Sequence, residues 1–328
     1  MPGRTRGVHP VMASSASHRL IELACRAPSV HNTQPWRWRA DDHHLHLYAD
    51  RGRQLAVEDP AGRNLLISCG AALDHLVVGA AALGWEARVS RFPEGPTSDL
   101  LADIALVRTE PSKTGVEDLT ALRKRHTDRR RYTSWPVPDE LLEALAGEAR
   151  RLGAHARALD DALVRYHLER LATKAVDLRA ADPDAQAEQD RWVDRSPVDG
   201  VPSDVLPVET DPGVTPPSRF PSGAVRETRE VVGAGDGVIL IGGAYDDRAG
   251  WLRTGEALSR LWLRATKDGL SVVPLSLPIE VDAVRHELRK NLLRYEFVPH
   301  LLVRVGWQAI GRDPLPRTPR RPVVEVLR

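Results

Sequence analysis

The sequence predicts an α+β chain, a mixed three-layer arrangement assembled from two tandem related units, and three observations carry that expectation. An apolar pattern, Gly70, Ala72, Leu73, Leu76, Ala80 and Gly84, returns as Gly255, Ala257, Leu258, Leu261, Ala265 and Gly269, every pair offset by 185 residues. Spacings of three and four place the small and aliphatic members on one helical stripe, and each final glycine sits where a left-handed C-terminal cap belongs. Six matches without a gap point to a repeated supersecondary unit. The opening helices also correspond, Leu20-Ile21-Glu22 with Leu141-Leu142-Glu143, at an offset of 121 residues. The two offsets differ by 64 residues, which implies a net insertion in the second unit. Finally, short apolar runs between the helices read as strands.

The elements follow in order. Leu20, Leu23, Ala24 and Ala27 mark an amphipathic helix over 17–27 with Ser17 at its N-cap, and Pro28 stops it. Strands are expected at 36–40 and 44–48, a long helix at 63–83 and strands at 87–92 and 101–107. The region 115–124 reads as the junction between units. Pro138 with Asp139 and Glu140 in the first turn opens a helix over 139–152. Helices at 162–179, 249–267 and 281–293 and strands at 238–241, 271–273 and 300–305 complete the second unit. The expected domains are a flexible tail at 1–16, a first half at 17–114 and a second half at 115–328. Residues 181–232, rich in Pro, Asp, Gly and Ser, are the place for the insertion; a loop of that length in a compact domain is commonly a lid, a binding loop or a linker.

Composition removes several function classes. The 328 residues carry a net charge of +1 and a pI near 7.9, so no global field recruits nucleic acid or an anionic membrane. No apolar run reads as a membrane span and the first 17 residues lack an apolar signal core, which leads to the expectation of a cytoplasmic protein. Cys25 and Cys69 are the only cysteines; both lie in apolar helical contexts and fit small buried thiols in a reducing compartment.

Two constellations carry chemistry. The run Arg26-Ala27-Pro28-Ser29-Val30-His31-Asn32-Thr33-Gln34-Pro35-Trp36 breaks a helix with a polar loop that clusters donors and acceptors beside an aromatic ring. It can grip a flat heterocycle, or it can be an ordinary helix-to-strand connection. Ahead of Pro138 lies Arg125-His126-Thr127-Asp128-Arg129-Arg130-Arg131-Tyr132. In an extended segment Arg125, Thr127 and Arg129 share a face, so two guanidiniums and a hydroxyl converge on one object, such as a phosphate or a pyrimidine edge. A solvated basic run is the alternative for arginines of this kind.

Together these elements resemble the nitroreductase superfamily. Arg125-x-Thr127-x-Arg129 with the following Pro136-x-Pro138-Asp139-Glu140-Leu141-Leu142 is similar to the FMN-contacting start of those enzymes. Pro28-Ser29-x-x-Asn32-x-Gln34-Pro35-Trp36 resembles their second FMN-contacting segment, usually supplied by the partner subunit of a homodimer. The reversed order of the segments, the duplication, Ile67-Ser68-Cys69-Gly70-Ala71-Ala72-Leu73 and Thr318-Pro319-Arg320-Arg321-Pro322 resemble the Acg-like, dormancy-associated branch, in which two nitroreductase units are fused. The resemblance spans about residues 17–327.

It implies a nitroreductase-like fold forming a pseudo-dimer with one composite flavin site. The first half lacks an Arg-x-Thr-x-Arg segment before its helix, and the second has Gly147-Glu148-Ala149-Arg150-Arg151-Leu152-Gly153 in place of the Pro-Ser-x-x-Asn loop. One FMN per chain is therefore expected. Pro28, Ser29, Val30 and Asn32 approach it from one half; Arg125, near the phosphate, Thr127, and Arg129, near the N1–C2=O edge, approach from the other. Pro274, Leu275 and Ser276 align with the segment passing flavin N5, and Arg320 and Arg321 resemble the C-terminal cations that close on the phosphate. The expected activity is NAD(P)H-dependent two-electron reduction of nitroaromatic or quinone-type acceptors. The alternative is a non-catalytic FMN storage protein with the flavin under a lid. Partners are small molecules, with no nucleic acid or membrane, and the chain is a monomer or homodimer.

Other signals are discounted. Gly233-Ala234-Gly235-Asp236-Gly237 precedes a strand, whereas a dinucleotide fingerprint follows one. His43, His44 and His46 lack a third ligand at metal spacing. No hydrolase nucleophile context is present.

Overall fold

The structure, a computed structural model, describes residues 15–41, 44–159, 161–206 and 235–328. The first half runs α1 (Ser15–Ala24), β1 (Trp36–Asp41), β2 (His44–Ala49), α2 (Arg63–Ala82), β3 (Trp85–Arg91) and β4 (Leu100–Arg108). After α3 (Lys113–Lys124) the second half runs α4 (Asp139–Arg151), β5 (His155–Ala158), α5 (Ala162–Ala180), α6 (Pro183–Asp190), β6 (Gly237–Gly243), α7 (Arg248–Lys267), β7 (Leu270–Leu275), α8 (Leu277–Glu280), α9 (Asp282–Glu287), β8 (Val298–Trp307) and α10 (Val323–Val326). Each half holds one four-stranded antiparallel sheet, in the orders β1-β2-β4-β3 and β5-β6-β8-β7. The orders are the same once corresponding strands are matched. Even the irregularities agree, since β2 shifts register against β4 at Leu47/Tyr48 and β6 shifts against β8 at Ile241/Gly242.

The core lies where α2 and α7 cross between the sheets, and the repeated glycines explain the crossing. A Cβ on Gly70 would stand 2.0 Å from the Leu252 carbonyl oxygen, and one on Gly255 would stand 1.9 Å from that of Ile67. The contact is reciprocal at the 185-residue offset, as in an isologous interface. Gly84 and Gly269 take φ of 77° and 83°, as expected of C-terminal caps that only glycine adopts without strain. Trp36, Trp38 and Trp262 are buried with the leucines of both halves in a single cluster.

Several expectations need correction. By length and composition α2 can cross a membrane, with a mean hydropathy of 1.7 over 18 residues, but 89% of that stretch is buried inside the protein. Its apolar character on all sides reflects packing between α1, α3 and α7. Helix α1 stops at Ala24 because Arg26 and Ala27 donate to Leu23 and Ala24 in tight i→i−3 bonds. Ser17 lies inside that helix. The supposed junction is a helix, α3, whose start is fixed by Ser112 Oγ accepting from Gly115 N–H at 3.3 Å. The helix expected over 281–293 is divided into α9 and a π-turn at Leu288–Leu292, with the short α8 just ahead of it, and β5 was not expected at all.

Candidate functional site

Backbone geometry singles out the loop after α1. His31, Asn32 and Gln34 have φ of 46°, 54° and 48°, three non-glycine residues in the left-handed region within four positions. Each is costly alone, so the surroundings must hold them. Ser29 Oγ accepts from Gln34 N–H at 3.0 Å, Val30 N–H donates to Ser68 Oγ at 3.3 Å, and the buried His31 ring meets Glu58 at 2.5 Å.

Two cationic side chains converge on this loop. Arg125, at the C-cap of α3, donates from Nη2 to the Arg26 carbonyl at 2.7 Å, and Arg320 Nη2 reaches the same oxygen at 3.4 Å. Arg125 also stacks over Trp262 at 4.7 Å. Among the described residues its Nε and Nη1 are buried without hydrogen-bond partners, as are Nε of Arg26 and Nε of Arg320. Burial, then the charges of Arg320 and Arg26, depress the pKa of Arg125, while burial and Arg26 bring Arg320 to about 10. Burial, with Arg125 and Arg320 close by, holds His75 neutral. Cys25 is pushed up to about 12 by burial and is no nucleophile. Among the described residues neither Arg125 nor Arg320 pairs with a carboxylate, and their gathered positive charge is complementary to an anion.

The second constellation lies alongside the end of β7. Thr127 forms an isolated parallel bridge with Val272 of β7, two residues before Pro274, and Pro274, Leu275 and Ser276 lie at the strand's exit. Asp128 and Arg130 turn inward as a buried pair at 2.6 Å, and Thr127 and Arg129 are half-buried on the alternate positions. Arg129 lies close enough to Tyr132 for its charge to act on the hydroxyl.

Two expected contacts are otherwise engaged. Asn32 Nδ2 donates to the Gly200 carbonyl at 2.8 Å and the Pro319 carbonyl at 3.1 Å, while its Oδ1 accepts from Arg320 at 3.0 Å. Arg321 bonds the Gln34 carbonyl at 3.3 Å and faces Asp50 and Glu325 at 3.9 and 3.6 Å. Its charge is thus answered by carboxylates where that of Arg320 is not.

The described part of the insertion docks on the same loop. Gln34 Nε2 donates to Val198 O at 2.9 Å, and Asp199 pairs with Arg53, which itself bonds Thr33 O at 2.5 Å. Although burial raises it, the Ser196 hydroxyl and Arg53 hold the Asp199 carboxyl below the usual range. Farther back, Glu188 accepts from the N–H groups of Ala56, Val57 and Glu58. Residues 207–232, the rest of the expected insertion, lie outside the described residues, as do Gly233 and Ala234. A cavity of about 760 Å³ follows the edge strand β5, lined by Glu143, Arg150, His155 and Glu296 among others; no candidate residue borders it. Among the described residues no cluster suits a metal, and His44 and His46 pair with Asp103 and Asp41.

No protein-family model matches the chain. "Putative NAD(P)H nitroreductase Rv3131" of Mycobacterium tuberculosis strain H37Rv is 39% identical over 312 residues, covering 94% of this chain and 90% of that one. "Putative NAD(P)H nitroreductase acg" of the same organism is 35% identical over 317 residues, 93% of each chain. The chain belongs to the Acg-like branch of the nitroreductase superfamily. Among solved structures, a nitroreductase with bound FMN from Bacteroides fragilis aligns at 15% identity and TM-score 0.40, over 62% of this chain and 94% of that one. A nitroreductase named as putative from Anabaena variabilis aligns at 12% and 0.46, over 81% and 69%. Membership rests on the mycobacterial relatives. Sequence reading gave no role to Arg26, whose carbonyl receives Arg125 and Arg320, or to Arg53 and Asp199, whose meeting depends on the insertion folding back.

Proposed function

We propose that the chain is an FMN-dependent NAD(P)H oxidoreductase, a fused pseudo-dimer of halves 17–114 and 115–328 with one composite site. The observation that carries this reading is the pair Arg125 and Arg320, converging on one carbonyl without a carboxylate. Those donors fit a phosphate monoester. Thr127 lies next along the chain, Arg129 and the 274–276 segment border the ring position, and Pro28, Ser29 and Val30 supply the opposite wall. Arg320 rather than Arg321 serves the phosphate. Bound FMN would supply hydride acceptance and donation at its ring. Arg129 contributes positive charge toward the pyrimidine edge, which favours the reduced, anionic cofactor.

A single site is supported by the counterpart region, where Gly147 to Arg151 continue α4 as helix and leave no loop to approach a second ring. The storage reading has its own support in the docking of Val198 and Gly200 onto Gln34 and Asn32, which brings the insertion over the flavin-contacting loop. Anaerobic mixing of the FMN-loaded protein with NADPH and with NADH separates the two. Bleaching of the flavin absorbance with either donor is the expected result, at one flavin per chain. No bleaching over many minutes with both donors refutes the oxidoreductase, and a ratio near two refutes the single site.

A further inference from the structure

The cationic cluster does not end at the position of the flavin phosphate. From the half-buried Arg125 and Arg320 it continues outward through Arg26 to Arg123 and Arg317, both exposed. The Arg26 guanidinium reaches the Arg123 carbonyl at 3.4 Å, and its Nε is buried without a partner. Arg317 precedes the Thr318 whose hydroxyl and carbonyl hold Arg320 at 2.8 and 3.3 Å. After burial, the charges of Arg317 and Arg123 are what depress the pKa of Arg26, with Glu22 the opposing carboxylate.

None of these five arginines forms an ion pair among the described residues. The C-terminus of α3 faces the group, but a helix end offers only about half an elementary charge. One phosphate monoester carries about two negative charges at most. Even with Glu22 opposing Arg26, a single phosphate and a helix end leave part of the charge of the five guanidiniums unanswered, and that part lies on the solvent side.

We propose that Arg26, Arg123 and Arg317 form a second anion subsite, which takes a second phosphoryl group beside the flavin phosphate. The ligand chemistry is a diphosphate reaching from the interior to the surface. It is carried either by the flavin itself, as in FAD, or by a separate pyrophosphate lying against bound FMN. The exposed position of Arg123 and Arg317 leaves room for the rest of a dinucleotide to emerge. This inference rests on the FMN reading above.

The test is equilibrium binding to the full apo chain, read by flavin fluorescence and calorimetry, with riboflavin, FMN and FAD, and with pyrophosphate added to the FMN-loaded protein. The double variant R123A/R317A lies on the surface and outside the FMN contacts. In the wild type, FAD is expected to bind at least as tightly as FMN, or pyrophosphate to bind the FMN complex. The former assigns the subsite to the cofactor, the latter to a separate ligand. The variant should lose about tenfold or more of whichever binding is seen, with FMN affinity changed less than twofold. Both effects should weaken as salt rises. FAD binding tenfold weaker than FMN together with no pyrophosphate binding overturns the subsite, as does equal weakening of FMN and FAD in the variant. If FMN binds no better than riboflavin, the phosphate reading of Arg125 and Arg320 fails instead, which is a distinct result.

Discussion

Replacing Arg125 by methionine separates a ligand-binding arginine from a structural one. In the apo protein the change removes one charge-assisted bond to the Arg26 carbonyl, worth about 1.5–3 kcal/mol, and the stacking on Trp262, worth about 0.5–2 kcal/mol. It also removes two buried N–H groups that lack partners, each costing about 1–3 kcal/mol, and relieves repulsion from Arg26 and Arg320. These terms close to within about 2 kcal/mol, so apo stability in urea should barely move. Flavin binding has no such compensation. Loss of a guanidinium that meets a phosphate costs about 3 kcal/mol, about a hundredfold in Kd. Urea denaturation of the apo variant and FMN titration by fluorescence quenching read the two quantities separately. A variant that loses more than about 4 kcal/mol of apo stability but keeps FMN affinity within threefold refutes the assignment.

Two further outcomes follow from the fold. G255A should lose about 3 kcal/mol in urea denaturation, because its Cβ would stand 1.9 Å from a backbone oxygen; G147A, with only an arginine tip at 3.9 Å, should gain about 0.5–1 kcal/mol from helix propensity. His300 is held near a pKa of about 4 by burial, accepting from Thr254 at 2.9 Å and donating to Tyr245 O at 3.1 Å. Its folded pKa lies below its unfolded value of 6.5, so the unfolded chain takes the proton first and stability falls as pH drops through that window. Asp59 acts in reverse: burial raises its pKa to about 6, and stability falls as pH rises from about 4 to 6. H300Q should therefore gain on the wild type by about 1.4 kcal/mol per pH unit as pH is lowered from 6.5 toward 4; a constant difference across that range contradicts the assignment.

The helices that bear the repeat were legible because a periodic pattern and a terminal glycine are local signals. Strand β5 was not, since His155-Ala156-Arg157-Ala158 has no strand propensity and owes its conformation to pairing with β6. Helix α3 was hidden by a Lys-Thr-Gly opening that reads as a linker until Ser112 caps it. The same limit applies to the site. Its residue types and two segments could be read, but Arg320 and Arg321 look alike in sequence. Only the carboxylates Asp50 and Glu325, brought to Arg321 by folding, distinguish them.

The reciprocal Gly70 and Gly255 contact also makes the peptide link between the halves replaceable. Most of the recognition surface is carried by α2 and α7, with α3 packed on α2 as well, while the connection at 109–112 bonds back to the end of α2 through Thr109 and Ser112. Two polypeptides expressed separately, one ending and one beginning in that connection, retain the surfaces needed to find each other. The first would bring the Ser29–Asn32 loop and the second Arg125 and Arg320, so that under the proposed FMN reading flavin binding would report their reunion.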